Sequence, residues 1–291
     1  MVSAKNQKVM SSLCERAMLV TLKVSMWTGR KRNKKVSSEV CSMNGAADDA
    51  GSWITYAFPT KALSNINGAN IRCRDMFYRL TMPWGNNGER VLPSALYLDY
   101  RGKMKACVEE CEEAVEEFFR EFPRLCSEAQ GRLGKLGYDI RIPSADELRG
   151  KFAVRMGMSP IASSNDFRVQ MDVEDLEEIK SLAEETLLHA LDSVVKHLWA
   201  QLEDMIGKIA NTMGTPDKVF RDSIIGNLKS FVELMPKLNL GDDSDLEAIR
   251  LEAIQKLSEL DPEDLRAIKS KRQRAAKDAA DLLAKISQYA T

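Results

Sequence analysis

From Val173 to Met213 the chain runs about forty residues without a proline, and its apolar residues recur by sevens: Leu188, Val195, Leu202 and Ile209, offset from Leu191, Leu198 and Met205. That period dictates an α-helix, and about forty residues rising 1.5 Å each make a rod of roughly 60 Å. A small compact core covers only part of such a rod, so the pattern predicts an antiparallel partner helix and contact with another subunit. A candidate partner precedes it. Ser94 to Phe122 carries Tyr97, Met104, Cys111 and Phe118 by sevens, with Tyr100, Cys107 and Ala114 three residues after the first three. Pro123 is expected to kink this helix or restart it before Leu136.

The remaining elements are shorter. Residues 18–27, MLVTLKVSMW, alternate as a strand, with Met18, Val20, Leu22, Val24 and Met26 on one face and Thr21, Lys23, Ser25 and Trp27 on the other. Gly29 ends it, RKRNKK at 30–35 reads as an exposed loop, and a helix follows that should stop at Asn44 and Gly45. Residues 46–66 read as irregular, Ala69 to Thr81 as helix, and Pro83, Gly85, Asn87, Gly88 and Pro93 as turns. Between the long helices, Tyr138 to Ile142, Lys151 to Met158 and Phe167 to Met171 are candidate strands. Asp261, Pro262 and Glu263 open a helix in the C-terminal region with a cap, a first-turn proline and favourable charge. The expected fold is α+β and predominantly α: a small antiparallel or mixed sheet packed on two long antiparallel helices, followed by a helical C-terminal region. The expected parts are 1–93, 94–213 with the strand 18–27 joining its sheet, and 214–291.

Charge points to a partner. The first 108 residues hold seventeen basic and seven acidic residues, a net of +10, while the remaining 183 carry −11. The basic third also holds Trp27, Trp53 and Trp84, with Tyr56, Phe58, Phe77, Tyr78, Tyr97 and Tyr100 interleaved. Cations neutralise phosphates and aromatic faces stack bases, so nucleic acid is the expected partner. Arg30, Lys31, Arg32, Lys34 and Lys35 are the expected phosphate contacts and Trp27 the stacking residue. If the strands share a sheet, its polar face displays Lys23, Arg141, Lys151, Arg155 and Arg168 beside Trp27; the competing reading is that solvent-facing strand positions hold Lys and Arg for solubility alone. A second basic cluster, Arg266, Lys269, Lys271, Arg272, Arg274 and Lys277, reads as a solvated helix or a further phosphate contact. The acidic runs at 109–117 and 172–178 read as solvated helix faces or as partners of the basic third.

No catalytic chemistry is legible. Six cysteines without a CxxC pair, and two histidines eight residues apart, make neither a metal shell nor a disulfide framework. GRLGKLG at 131–137 lacks the spacing and the Lys-Ser/Thr ending of a phosphate loop and reads as helix termination. GDDSDLE at 241–247 reads as a turn and helix cap. These features point away from an enzyme and imply no cofactor. No apolar run reaches the length of a membrane span, and the first residues lack the apolar core of a signal peptide, so a cytosolic protein is expected.

Four segments carry a resemblance: LVTLKVSMWTGRKRNKKV at 19–36, MPWGNNGERVLPSALYLDY at 82–100, ADELRGKFAVRMGMSPI at 145–161 and KVFRDSIIGNLKSFVELMPKLNL at 218–240. Over roughly residues 13–240 the chain resembles a group of uncharacterised bacteriophage and prophage proteins. Its layout is similar to a phage family of unknown function often encoded beside MoxR-type AAA+ ATPases and von Willebrand factor A proteins. The resemblance implies a viral setting and the cytoplasm of a bacterial host, and supplies no site residues. Two functions follow as expectations: a non-enzymatic phage DNA-binding protein that binds or anneals single strands in DNA metabolism or recombination, or a self-associating coiled-coil adaptor or chaperone partner of an AAA+ ATPase.

Overall fold

The computed structural model describes residues 12–85, 88–162, 172–215 and 220–289. Strands and helices alternate as β1 (Ala17–Ser25), β2 (Arg30–Asn33), α1 (Lys34–Met43), β3 (Trp53–Tyr56), α2 (Ser64–Leu80), β4 (Met82–Trp84) and β5 (Glu89–Pro93). They continue as α3 (Tyr97–Leu133), α4 (Ala145–Arg149), β6 (Ala153–Pro160), α5 (Val173–Gly214), α6 (Ser223–Leu238), α7 (Ser244–Ala253), α8 (Pro262–Ala267) and α9 (Lys269–Ile286). The fold is α+β and predominantly helical, with a small antiparallel sheet in the order β4-β5-β1-β6 and a two-stranded ribbon of β2 and β3. The chain forms two compact units: 1–21 with 80–98 and 158–291, and 22–79 with 99–157.

In the first unit, β1 pairs antiparallel with β5, Ala17 opposite Pro93 and Val20 opposite Arg90, and β5 pairs with β4 through Val91–Met82 and Glu89–Trp84. The long helix α5 buries Val194, Leu198, Leu202, Ile206 and Ile209 completely. Its cover comes chiefly from α9, with α6 and β4 completing it. The apolar stripe predicted to need a second subunit is therefore covered within this unit at Leu198, Leu202 and Ile209, while Leu188 and Val195 at its edge are half-buried. The α6–α7 turn is fastened by the Asp243 side chain, which accepts from the amides of Asp245 (2.9 Å) and Leu246 (3.0 Å) and from the buried indole of Trp199 (2.9 Å). Here GDDSDLE is a helix cap as its sequence predicts, and the side chain of Arg16 pairs with Asp242 at 2.9 Å. Asp261 caps α8 in the same way, accepting from Glu263 N at 2.7 Å with Pro262 in the first turn.

In the second unit, α3 buries Tyr100, Met104, Cys111, Phe118, Phe119, Phe122, Leu125 and Ala129. Pro123 lies inside this helix, which continues to Leu133 without restarting, with Phe118, Phe119 and Phe122 fixed in one aromatic cluster alongside Phe58. α3 ends at Leu133, where Gly134 takes a left-handed φ of 51° open to glycine, so GRLGKLG does terminate the helix. Three expectations fail around these helices. Residues 30–33 form β2 instead of an exposed loop, and 53–56 form β3 instead of irregular chain, because each supplies the other's hydrogen bonds. Tyr138 to Ile142 is not a strand: a 3-10 turn occupies Gly134–Asp139, and Arg141 lies beyond it on non-strand chain. Lys151 to Met158 is confirmed as β6 over Ala153–Pro160, whereas Phe167 to Met171 lies outside the described residues.

Candidate nucleic-acid interface

The ribbon in the second unit concentrates the expected phosphate-binding cations. Its register sets Arg30 opposite Tyr56, Lys31 opposite Thr55, Arg32 opposite Ile54 and Asn33 opposite Trp53. Cross-strand partners share a face. One face therefore carries Arg30, Arg32, Ile54 and Tyr56, and the other Lys31, Asn33, Trp53 and Thr55. Asn33 and Thr55 are buried, while Arg30, Lys31, Arg32 and Trp53 are exposed. The guanidinium of Arg30 lies 5.6 Å from the centre of the Tyr56 ring, a cation–π contact.

Sequence and hydrogen bonding fix the ribbon to α1. Asn33 ends β2 and caps the helix, its side chain accepting from Val36 N at 3.1 Å. The Ser37 hydroxyl donates to the Asn33 carbonyl at 2.7 Å and accepts from Trp53 N at 2.8 Å. Lys34 and Lys35 open α1, exposed, with no acidic residue in its first turn. The helix stops at Asn44 with Gly45 at φ 62°, as its sequence predicts. At the other end of β2, the buried Gly29 at φ 63° accepts a hydrogen bond from Ala57 N at 2.8 Å.

The structure separates the other expected site residues. Lys23 on β1 and Arg155 on β6 are exposed strand residues. Arg141 is off the sheet and ion-paired with Glu147 at 2.8 Å, Lys151 lies in the turn before β6, and Arg168 lies outside the described residues. Of the five cations expected on one sheet face, two stand on described strands. Trp27 is not on β1, which ends at Ser25. Its half-buried ring meets Phe58 edge-on at 5.6 Å and closes over Gly29, where an added Cβ would lie 3.3 Å from the indole. The premise that strand alternation turns Trp27 outward therefore fails two residues past the strand's end. Trp53, 45% exposed, is the open tryptophan that this reading missed.

The acidic run of α3 does meet the basic third: Arg72 pairs with Glu110, and Asn65 donates to Glu117 at 2.9 Å. Beside them a hollow of about 560 Å³ is lined by Ser25, Asn70, Glu112, Glu116, Arg149 and Phe152 among others. The hydrogen-bonded Arg149 guanidinium holds the Glu116 carboxyl below the usual carboxylate range. Cys111 also borders the hollow, but burial raises its thiol, and burial together with Cys111 pushes Cys73 up to about 12; neither is an activated nucleophile. In the first unit, burial and then Arg90 lower the pKa of His197, and His189 is exposed 3.6 Å from Glu185. Among the described residues no three His, Cys, Asp and Glu side chains are grouped to hold a metal ion, and no helix is long and apolar enough to cross a membrane.

The second basic cluster is arranged differently. It is split by a break at Ile268. Arg266 pairs with Asp222 and lies over Phe220, Lys271 pairs with Asp264 at 2.5 Å, and Arg274 lies 3.8 Å from Asp278. Arg272 donates to the carbonyls of Thr212 (2.8 Å) and Thr215 (3.0 Å). Comparison of the chain with protein-family models, with characterised proteins and with solved structures finds no match.

Proposed function

We propose that this chain binds nucleic acid, without catalysing a reaction, through the β2–β3 ribbon and the first turn of α1. One observation carries the reading: among the described residues Arg30, Arg32, Lys34 and Lys35 are exposed and none is ion-paired, whereas four of the six cations of the 266–277 cluster are engaged inside the chain. Cations on the ribbon and the adjoining helix turn without carboxylate partners are open to a polyanion, and each phosphate neutralised releases counterions. The ribbon's bonds to Asn33 and Ser37 support the same reading, since a surface fixed before binding loses little entropy on binding. The segments resembling phage proteins favour DNA and the cytoplasm of a bacterial host as the setting of this proposal. The alternative, a self-associating adaptor for an AAA+ ATPase, draws on the helical stripe and on the opposite charges of the two parts of the chain; Leu202 and Ile209 of that stripe are buried within the first unit, while Leu188 and Val195 are half-buried.

The test is titration of labelled DNA with the parent and with a variant carrying Arg30→Gln, Arg32→Gln, Lys34→Gln and Lys35→Gln. The reading expects binding by the parent and a large loss in the folded variant. A control variant, Lys269→Gln with Lys277→Gln, should bind nearly as the parent does. Equal binding by the parent and the ribbon variant overturns the proposal.

A further inference from the structure

We infer that Trp53 is a base-stacking platform and that the ribbon takes single-stranded nucleic acid in preference to duplex, an inference that rests on the nucleic-acid reading above. The four tryptophans differ in what they can offer a ligand. Trp84 and Trp199 are 8% and 5% exposed, and Trp27 is packed between Phe58 and Gly29. Trp53 is the most open of them. Tyr56, at the other end of β3 and on its opposite face, is half-buried and lies under the Arg30 guanidinium, so its ring already has a partner.

Trp53 is exposed yet not loosely held. Its amide donates to Ser37 Oγ, it stands in register with Asn33, and Asn33 in turn caps α1. These contacts fix its backbone beside the helix turn that carries Lys34 and Lys35, while Arg30 and Arg32 stand on the other face of the same ribbon. The indole and the two lysines of the helix's first turn thus belong to one preorganised element. A duplex presents phosphates to the cations but keeps its base faces stacked on one another. A single strand presents both groups, and base–aromatic stacking tolerates any base because each has a π face. The charge of the ribbon selects a polyanion, and the open indole selects the polyanion whose bases are free.

The experiment compares an oligothymidine with a duplex of equal length, using the full chain and its Trp53→Ala and Trp53→Phe variants, with iodide quenching of tryptophan emission as a second readout. The parent should prefer the single strand. Trp53→Ala should bind it roughly 5- to 150-fold more weakly, the loss of one base–aromatic stack, with duplex affinity little changed. Trp53→Phe should retain most of the affinity, and the oligothymidine should shield the parent's emission from iodide. Should Trp53→Ala fail to fold, Trp53→Phe and the iodide measurement still decide. Equal binding of both nucleic acids, or emission that stays open to iodide in the complex, overturns this inference and leaves phosphate binding by the ribbon intact. A parent that binds neither overturns both.

Discussion

Trp27 and Gly29 form a pair whose coupling can be measured. The indole is half-buried, contacts Phe58 at 5.6 Å, and lies 3.3 Å from where a Gly29 Cβ would stand, while Gly29 itself sits at φ 63°. Truncating a fully buried tryptophan costs about 3–5 kcal/mol; with the ring only partly exposed, Trp27→Ala should cost about 2–3 kcal/mol. Gly29→Ala meets two penalties. The left-handed backbone costs about 1–2 kcal/mol in any background, and pressing a methyl group against the indole adds about 0.5–1 kcal/mol, the lower end of couplings between touching residues. In a Trp27→Ala background only the backbone penalty remains. A double-mutant cycle by urea denaturation should therefore show the double variant about 0.5–1 kcal/mol more stable than the sum of the single losses predicts. DNA affinity should be unchanged by Trp27→Ala once the protein is folded. Additive losses, or a Trp27→Ala variant that keeps its stability and loses affinity, would refute the packing and restore Trp27 as the stacking residue.

Asp243→Ala removes a cap bonded to two amides and to the buried Trp199 indole, and should cost about 2–4 kcal/mol, read as a fall in melting temperature; Asp243→Asn should recover part of it. A Cβ on Gly241 would stand 2.6 Å from Val195 Cγ2, so Gly241→Ala should cost about 1–3 kcal/mol and Val195→Ala should relieve much of that loss. An unchanged melting temperature in Gly241→Ala would contradict the close approach. Cys73 is fully buried with its thiol pushed up to about 12, so at about pH 8 it should resist iodoacetamide in the native protein and react after unfolding. Peptide mass spectrometry that finds it alkylated in the native state would contradict the packing of α2 on α3.

What the sequence discloses depends on whether an element carries its own signal. The long helices do, since α3 and α5 bury an apolar stripe at helical spacing that no other conformation sorts to one side. Local caps do as well: Asp261 with Pro262, Asn44 with Gly45, and Gly134 each act within a few residues of themselves. Pro123 does not restart the helix because its penalty of about 3 kcal/mol is local, while Phe118, Phe119 and Phe122 before it and Leu125 and Ala129 after it gain from a continuous helix packed in one cluster. The ribbon is hidden for the opposite reason. Arg30–Asn33 has no apolar alternation at all, and it becomes a strand only through register with a segment twenty or more residues away. A signal for its partner did exist: Trp53, Ile54, Thr55 and Tyr56 are all β-prone, bounded by Gly51 and Pro59.

The candidate site was legible as a composition and not as a geometry. The cations at 30–35 are exposed as their sequence predicts, but they occupy a strand and a helix start. The tryptophan beside them is not the one nearest in the chain. Alternation carried two residues too far assigned Trp27 to a polar face, whereas the left-handed turn at Gly29 folds its ring inward. The expected display of Arg141 on the sheet failed because Gly134 and the turn after α3 replace the strand that would have carried it.

The central claim is that Arg30, Arg32, Lys34 and Lys35 bind phosphates, and its most direct measurement is the salt dependence of single-strand affinity for the parent and the four-fold Gln variant. Each lost contact should flatten the plot of log affinity against log salt by about 0.7, so losing four should reduce the slope by about 2.8. Between about 50 and 200 mM salt, those four contacts alone should account for a roughly 50-fold loss of affinity in the parent. A variant whose slope matches the parent's, or a parent whose affinity does not change with salt, would contradict the assignment of the β2–β3 ribbon and the start of α1 as the phosphate-binding surface.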